Sequence, residues 1–365
     1  MSEIITKQKI AFVVGRPSGH PLHMAYANSV HADIIHEDSI LRWQDVPTAG
    51  KLRRYASWML NAFFFKNRKK YDIFLCECLR VPPLILKSLG LMRRNQKLAA
   101  LMADESLYFL DQHKYPAMTQ WLIRLFLKKC DYVIGIGTLQ YELALKHVPK
   151  GHENKVRLIP FNGLDADTLQ RLLDIPTKTG IPKRLLIVGN MSAYWRAWYK
   201  GVDLSFAAFQ KLCEQYDLYL DIIGDTANEV EEELLSNMNS TTKSRIKFLG
   251  EIKDIPAALK SYDICLHPAR GDAFPTSTLE CYAAGIPTVV SVDTGTKAFA
   301  KKVDDQLVCE LNEESVTSSL KHVLDLDTHE LEKVSSGLKK VVSGCTREAA
   351  LQNFKDIIRQ TVDSD

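Results

Sequence analysis

No stretch of the 365 residues approaches the ~18 uninterrupted apolar positions from which a membrane-spanning helix is built. A spanning protein is therefore not expected. The opening residues, MSEIITKQKIAFVV, contain no small-residue cleavage site and read as a strand, so a cytosolic chain is expected. Metal-site spacing is also missing. The eight cysteines are scattered through apolar contexts, and Cys76-x-Cys78 puts two thiols on one strand face, where packing is the ordinary role. His20 and His23 lack both a third ligand and the HExxH glutamate, so no metal is expected. The first glycine loop, Gly15 to Gly19, is not the spaced G-x-G-x-x-G of a dinucleotide fold. No recognisable nucleic-acid-binding motif occurs, and no nucleic-acid partner is expected.

What is present suits two domains of ordinary size. Apolar residues make up 46% of the chain and charged residues 25%, enough for two cores and too balanced for disorder. The net charge of +3 conceals an asymmetry. Residues 1–180 carry 26 Lys or Arg against 16 Asp or Glu, a balance of +10; the remainder carry 21 against 28, a balance of −7. A split of this kind is expected where one domain meets an anionic surface or substrate.

The most informative stretch is 263–295, DICLHPARGDAFPTSTLECYAAGIPTVVSVDTG. An apolar run ends in a loop holding Arg270, Gly271 and Asp272. Pro275 and Thr276 then open a small-residue helix that stops at Gly285, and a second apolar strand follows. This is a strand-loop-helix-strand unit of a parallel sheet. Two carboxylates, Asp272 and Glu280, lie either side of the helix start, with seven residues between them. Unpaired N–H groups at a helix start suit a phosphate, and a carboxylate two turns inside can hold sugar hydroxyls. Phosphate plus sugar hydroxyls points to a nucleotide.

The same residues resemble the acidic-x7-Glu signature of family 4 retaining glycosyltransferases of the GT-B fold, with Asp272 in place of the usual first glutamate. The resemblance implies an α/β protein with two Rossmann-like domains facing each other across a cleft. It divides the chain into an acceptor-binding domain at 1–180, a nucleotide-sugar-binding domain at 181–345 and a helix at 346–365 crossing back to the first domain. Residues 166–182, with Pro176, Gly180 and Pro182, read as the linker.

Roles follow by the same resemblance. Asp272 and Asp104, the latter in the loop MADESL at a strand end, would face the donor sugar and the acceptor hydroxyl. Gly19 would cap the donor diphosphate. The family usually has Gly-Arg and then Lys-Gly in its second domain; here Asn190 replaces the arginine, Lys200 is kept, and Arg196 stands in for the missing cation. Gly224 and Glu251 end glycine-rich strands near which main-chain groups hold the base. Phe274, Pro275 and Thr276 border the phosphates, and Glu280 would anchor the ribose. The implied reaction is metal-independent transfer, with retention, of a hexosyl group from a UDP- or GDP-sugar to a glycan or lipid-linked acceptor, in surface polysaccharide or glycolipid synthesis. The nucleotide sugar is a substrate, and no cofactor is expected.

The segment 51–70, KLRRYASWMLNAFFFKNRKK, has seven basic residues, no acidic ones and six apolar aromatics or methionine between them. It suits either the surface of an anionic bilayer, making the protein peripheral on the inner face of the membrane, or a core-facing helix with a solvated basic end. A second reading of the whole chain also stands: a catalytically silent GT-B subunit that supports an active transferase, since Asp272 and Asn190 both depart from the family pattern.

Overall fold

A computed structural model describes residues 8–15, 21–36, 68–236 and 238–363. Gly19 and residues 51–67 of the basic segment lie outside the described residues. The chain divides into two compact units. One comprises the residues up to Pro160 together with those from Ala350 onward, and the other runs from Phe161 to Ala349.

The first unit holds a parallel sheet of β1 (Ile10–Val14), β2 (Asp33–His36), β3 (Ile73–Glu77), β4 (Lys97–Met102), β5 (Tyr132–Ile136) and β6 (Val156–Ile159), in the order β2-β1-β3-β4-β5-β6. Strands β1, β3 and β5 are buried at every position, which explains why they are apolar throughout except for Glu77 at the end of β3: in a buried parallel sheet no alternation survives. The last helix, Arg347–Asp363, joins this unit from Ala350, where Phe354 packs on Tyr26 at 5.1 Å between ring centres.

The second unit holds β7 (Arg184–Val188), β8 (Tyr219–Ile223), β9 (Ile246–Phe248), β10 (Ile264–His267), β11 (Thr288–Ser291) and β12 (Val308–Cys309). All pair in parallel, in the order β12-β11-β10-β7-β8-β9. Counted from β7, this is the dinucleotide-fold order 3-2-1-4-5-6, whose direction of winding reverses between β7 and β10. Loops leaving those two strands at their carboxyl ends diverge and open a crevice there. Helices Val202–Leu212 and Glu313–Asp325 pack together over the sheet, their apolar stripes buried.

Three expectations change. The boundary expected at 180 lies at Pro160/Phe161. The expected linker is helical over its first half: Asp165 accepts a hydrogen bond from the Thr168 N–H (2.9 Å) and caps a helix, Ala166–Leu173, whose Leu169 and Leu172 are buried within the second unit against helix Thr276–Ala283, and only 174–182 is irregular. A helix not expected at all, Thr328–Val342, begins at a capping box formed by Asp327 and Glu330.

Candidate functional site

The crevice between β7 and β10 brings together residues some seventy positions apart. β7 delivers the Gly189 turn and the short helix Tyr194–Tyr199, at whose end stands Lys200. β10 ends on His267 and delivers the loop to Asp272. Lys200 Nζ lies 3.3 Å from Asp272 Oδ2, and His267 Nε2 lies 3.2 Å from the same oxygen. The Lys200 side chain lies across the Gly189 turn, where a Cβ would meet it at 2.6 Å and the lysine would have to shift.

The electrostatics follow from burial. Burial alone would push the Asp272 carboxyl up; the Lys200 charge and the His267 hydrogen bond overcome it and hold the group well below the usual carboxylate range. Burial pushes the His267 imidazole down, opposed by its bond to Asp272 and reinforced by Lys200. The ring is therefore neutral, and its Nε2–H donates to the carboxylate.

The loop before Asp272 is stitched to the helix before Lys200. Arg270 grips Asp203 with two hydrogen bonds of 2.8 Å, stacks 4.6 Å from the Trp198 ring centre and donates to the Trp198 carbonyl. Its own N–H donates to the Tyr199 carbonyl (2.7 Å), and the Tyr199 hydroxyl donates to the Gly271 carbonyl (2.8 Å). From the far side the Gly295 N–H donates to the Asp272 carbonyl at 2.8 Å. The carboxylate is thus held in a frame fastened at both ends.

Beyond Asp272, Pro275 occupies the cap position of helix Thr276–Ala283, and no side chain caps that start. A helix start without a side-chain cap leaves its first N–H groups available, as an anion site requires. Glu280, one turn further on, borders a cavity of about 440 Å³ together with Thr276, Asp165, Arg171, Lys253 and Arg347. Burial, with the Asp165 charge added, pushes the Glu280 carboxyl up to about 7. The Glu280 carboxyl makes no hydrogen bond or ion pair with another described residue, which leaves it open to a ligand in the cavity it borders.

The other expected residues distribute as follows. Gly224, at φ 129°, packs so closely on the Gly189 turn that a Cβ would meet the Gly189 carbonyl oxygen at 2.1 Å; its N–H donates to Gly250 at 2.8 Å, beside Glu251. Loops from β7, β8 and β9 therefore run side by side. Arg196 donates to Asn190 Oδ1 at 3.3 Å and stacks on Trp195, on the same turn as Lys200. Phe274 is buried edge-on against Phe299, its ring turned into the core. Asp104 belongs to the first unit, where its Oδ1 accepts from both the N–H (3.0 Å) and the hydroxyl (2.5 Å) of Ser106. Lys70, at the end of the basic segment, pairs with Asp33 at 2.8 Å. Among the described residues no helix is long and apolar enough to cross a membrane.

Sequence reasoning missed His267 and the Arg270–Asp203 clasp. A polar residue closing an otherwise apolar strand is the one signal His267 offered. Asp203 had none, since it lies inside a helix pattern far from Arg270 in the chain.

Comparison with known proteins agrees with this architecture. Residues 182–325 match the family described as Glycosyl transferases group 1. Mannosylfructose-phosphate synthase of Agrobacterium fabrum is 24% identical over 279 residues, which span 67% of this chain and 59% of that relative. Among solved structures, sucrose-phosphate synthase from Thermosynechococcus elongatus superposes with a TM-score of 0.69 at 16% identity, covering 98% of this chain and 100% of that one. Anabaena HepE in complex with UDP superposes at 0.68 and 14% identity, with the same coverage. At such identities the likeness carries the fold. The chain is an α/β protein of the GT-B fold that resembles family 4 glycosyltransferases, with its Glycosyl transferases group 1 match in the second unit.

Proposed function

We propose that the chain is a retaining glycosyltransferase that moves a hexosyl group from a nucleotide-diphosphate sugar, UDP-linked or GDP-linked, to a hydroxyl of a glycan or lipid-linked acceptor in surface polysaccharide or glycolipid synthesis. The observation that supports this reading is the Lys200–Asp272 ion pair where β7 and β10 end, followed by an uncapped helix start at Thr276, which also lines the cavity bordered by the Glu280 carboxyl. Solved relatives of the same fold hold UDP and UDP-glucose, which favours a UDP-sugar.

Departure of the nucleoside diphosphate builds negative charge on the phosphate and positive charge at the anomeric carbon. Lys200, Arg196 and the N–H groups from Thr276 onward answer the first; the ionised Asp272 answers the second. Glu280 accepts from the ribose hydroxyls and orients the donor. The departing phosphate takes the acceptor proton. The donor is the only small molecule the scheme requires beside the acceptor, and neither cofactor nor metal takes part. Asp104 acts on the acceptor, and Gly19 on the diphosphate. We place the protein in the cytoplasm, in peripheral contact with the inner membrane face through residues 51–70.

Thermal shift with UDP, GDP, ADP and their sugar conjugates, with NAD as control, tests the donor reading on wild type and Lys200→Ala. A ligand at a hundred times its Kd stabilises the native state by about 2.7 kcal/mol. Stabilisation by one nucleotide family, lost in the variant, is the expected result. Equal response to every nucleotide, or none to any, sinks it. Turnover with and without a chelator, and the anomeric configuration of the product by NMR, test metal independence and retention. Turnover of any donor also excludes the silent-subunit reading.

A further inference from the structure

Lys200 and His267 compete for one atom. Both approach Asp272 Oδ2, at 3.3 and 3.2 Å. The carboxylate is 16% exposed and the imidazole 2%, so a partner lost by Asp272 is poorly replaced by water. The charged groups that face His267 are Asp272, on its own loop, and Lys200, from the end of helix Tyr194–Tyr199. After β11, the Ser291 and Thr294 hydroxyls bond to each other at 3.0 Å, and the Thr294 hydroxyl donates to the His267 carbonyl at 3.5 Å. The inference below rests on the proposed role of Lys200 at the donor phosphates.

We infer that His267 is a positioning residue whose protonation is tied to donor binding: when Lys200 turns from Asp272 to the donor diphosphate, His267 alone holds Oδ2 and takes up a proton from solvent. The proton adds at Nδ1, Nε2–H stays on Oδ2, and the neutral imidazole beside a carboxylate becomes an imidazolium–carboxylate pair; no covalent bond between heavy atoms changes. The direction follows from the charges. Lys200 now opposes protonation of the ring, while Asp272 favours it. Moving the lysine charge onto a phosphate removes the opposition and leaves Asp272 without its cation. The proton supplied to His267 then keeps the carboxylate ionised and aimed at the anomeric carbon. A second consequence is reciprocal: low pH favours the donor-bound form through this group.

Calorimetric titration of UDP and of GDP in phosphate and in Tris, at neutral pH, counts protons taken up per nucleotide. Glu280 is expected to change protonation too, so the comparison is between wild type and His267→Gln, which keeps an N–H donor but cannot titrate. Wild type should take up more protons than the variant, by up to about one per nucleotide bound. Equal uptake in the two overturns the inference and leaves the donor reading intact. Absence of binding heat with either nucleotide overturns both. Should His267→Gln fail to fold, the imidazole NMR titrations of wild type decide: one ring should gain a higher pKa when UDP or GDP saturates the protein, and unchanged titration of every ring overturns the inference.

Discussion

Gly201 lies against the main chain of Pro268 so tightly that a Cβ on it would meet the proline carbonyl oxygen at 2.0 Å. Its φ of 69° is a left-handed conformation as well. This contact welds the turn that carries Lys200 to the loop that carries Asp272. Gly201→Ala should therefore lower stability by roughly 1–3 kcal/mol and separate the two side chains. Chemical denaturation with nucleotide-binding assays checks both; a variant of unchanged stability and affinity would show that the weld is dispensable.

Glu280 makes stability depend on pH in the opposite sense to an ordinary ion-paired acid. Its native pKa is raised from 4.5 to about 7, so the native state holds a proton that the unfolded chain has released. The favourable contribution is complete below about pH 4.5 and is lost as pH rises through about 7. Glu280→Gln should be more stable than wild type at pH 8, by up to about 3 kcal/mol, and no more stable at pH 4.5. The same change should weaken nucleotide binding. Denaturation midpoints at the two pH values, beside thermal shifts with UDP, test the trade.

Removing the charge of Asp272 should separate binding from turnover. Asp272→Asn frees Lys200 from its ion pair, so UDP should bind as well as to wild type or better. Turnover should fall by roughly two to three orders of magnitude, because the group opposing charge at the anomeric carbon is gone. Affinity falling in step with turnover would instead mean that Asp272 mainly shapes the phosphate site.

Arg270 is two-pronged by necessity. Both oxygens of Asp203 accept from it while its plane rests on Trp198, which the single ammonium of lysine cannot reproduce. Arg270→Lys should cost roughly 1–2 kcal/mol of stability and loosen the Asp272 loop, lowering kcat more than nucleotide affinity. Steady-state kinetics beside melting curves would reveal a role confined to packing, in which only the melting curve moves.

Much of the second unit was legible in the chain. Strands β7, β8, β10 and β11 and the helix after Pro275 are each announced by an apolar run with glycine or proline at its end, and those signals are local. The first unit was legible as alternating strands and helices, since its buried strands are apolar apart from Glu77 at the end of β3. Helix Ala166–Leu173 was read as linker because Pro176, Gly180 and Pro182 just beyond it dominate the local pattern. Its helical start depended on one Asp165 carboxylate and its persistence on a tertiary surface that buries Leu169 and Leu172. The amphipathic helix Thr328–Val342 carries its start signal in Asp327 and Glu330, whose reciprocal bonds form the capping box.

Local chemistry accounted for the carboxylates on either side of a helix start and the glycines at strand ends, since each is a matter of residue type and short spacing; Lys200 before Gly201 is singled out by the family resemblance. Which oxygen those residues share was beyond it. Strand order places β7 beside β10, and only that neighbourhood brings Lys200 and His267 onto one oxygen of Asp272 and pins Arg270 to Asp203. The same holds for protonation. Asp272 and Glu280 are both carboxylic acids in one short loop and helix, yet packing bonds one to a cation and an N–H donor and buries the other beside Asp165 with no bonded partner, driving their pKa values in opposite directions.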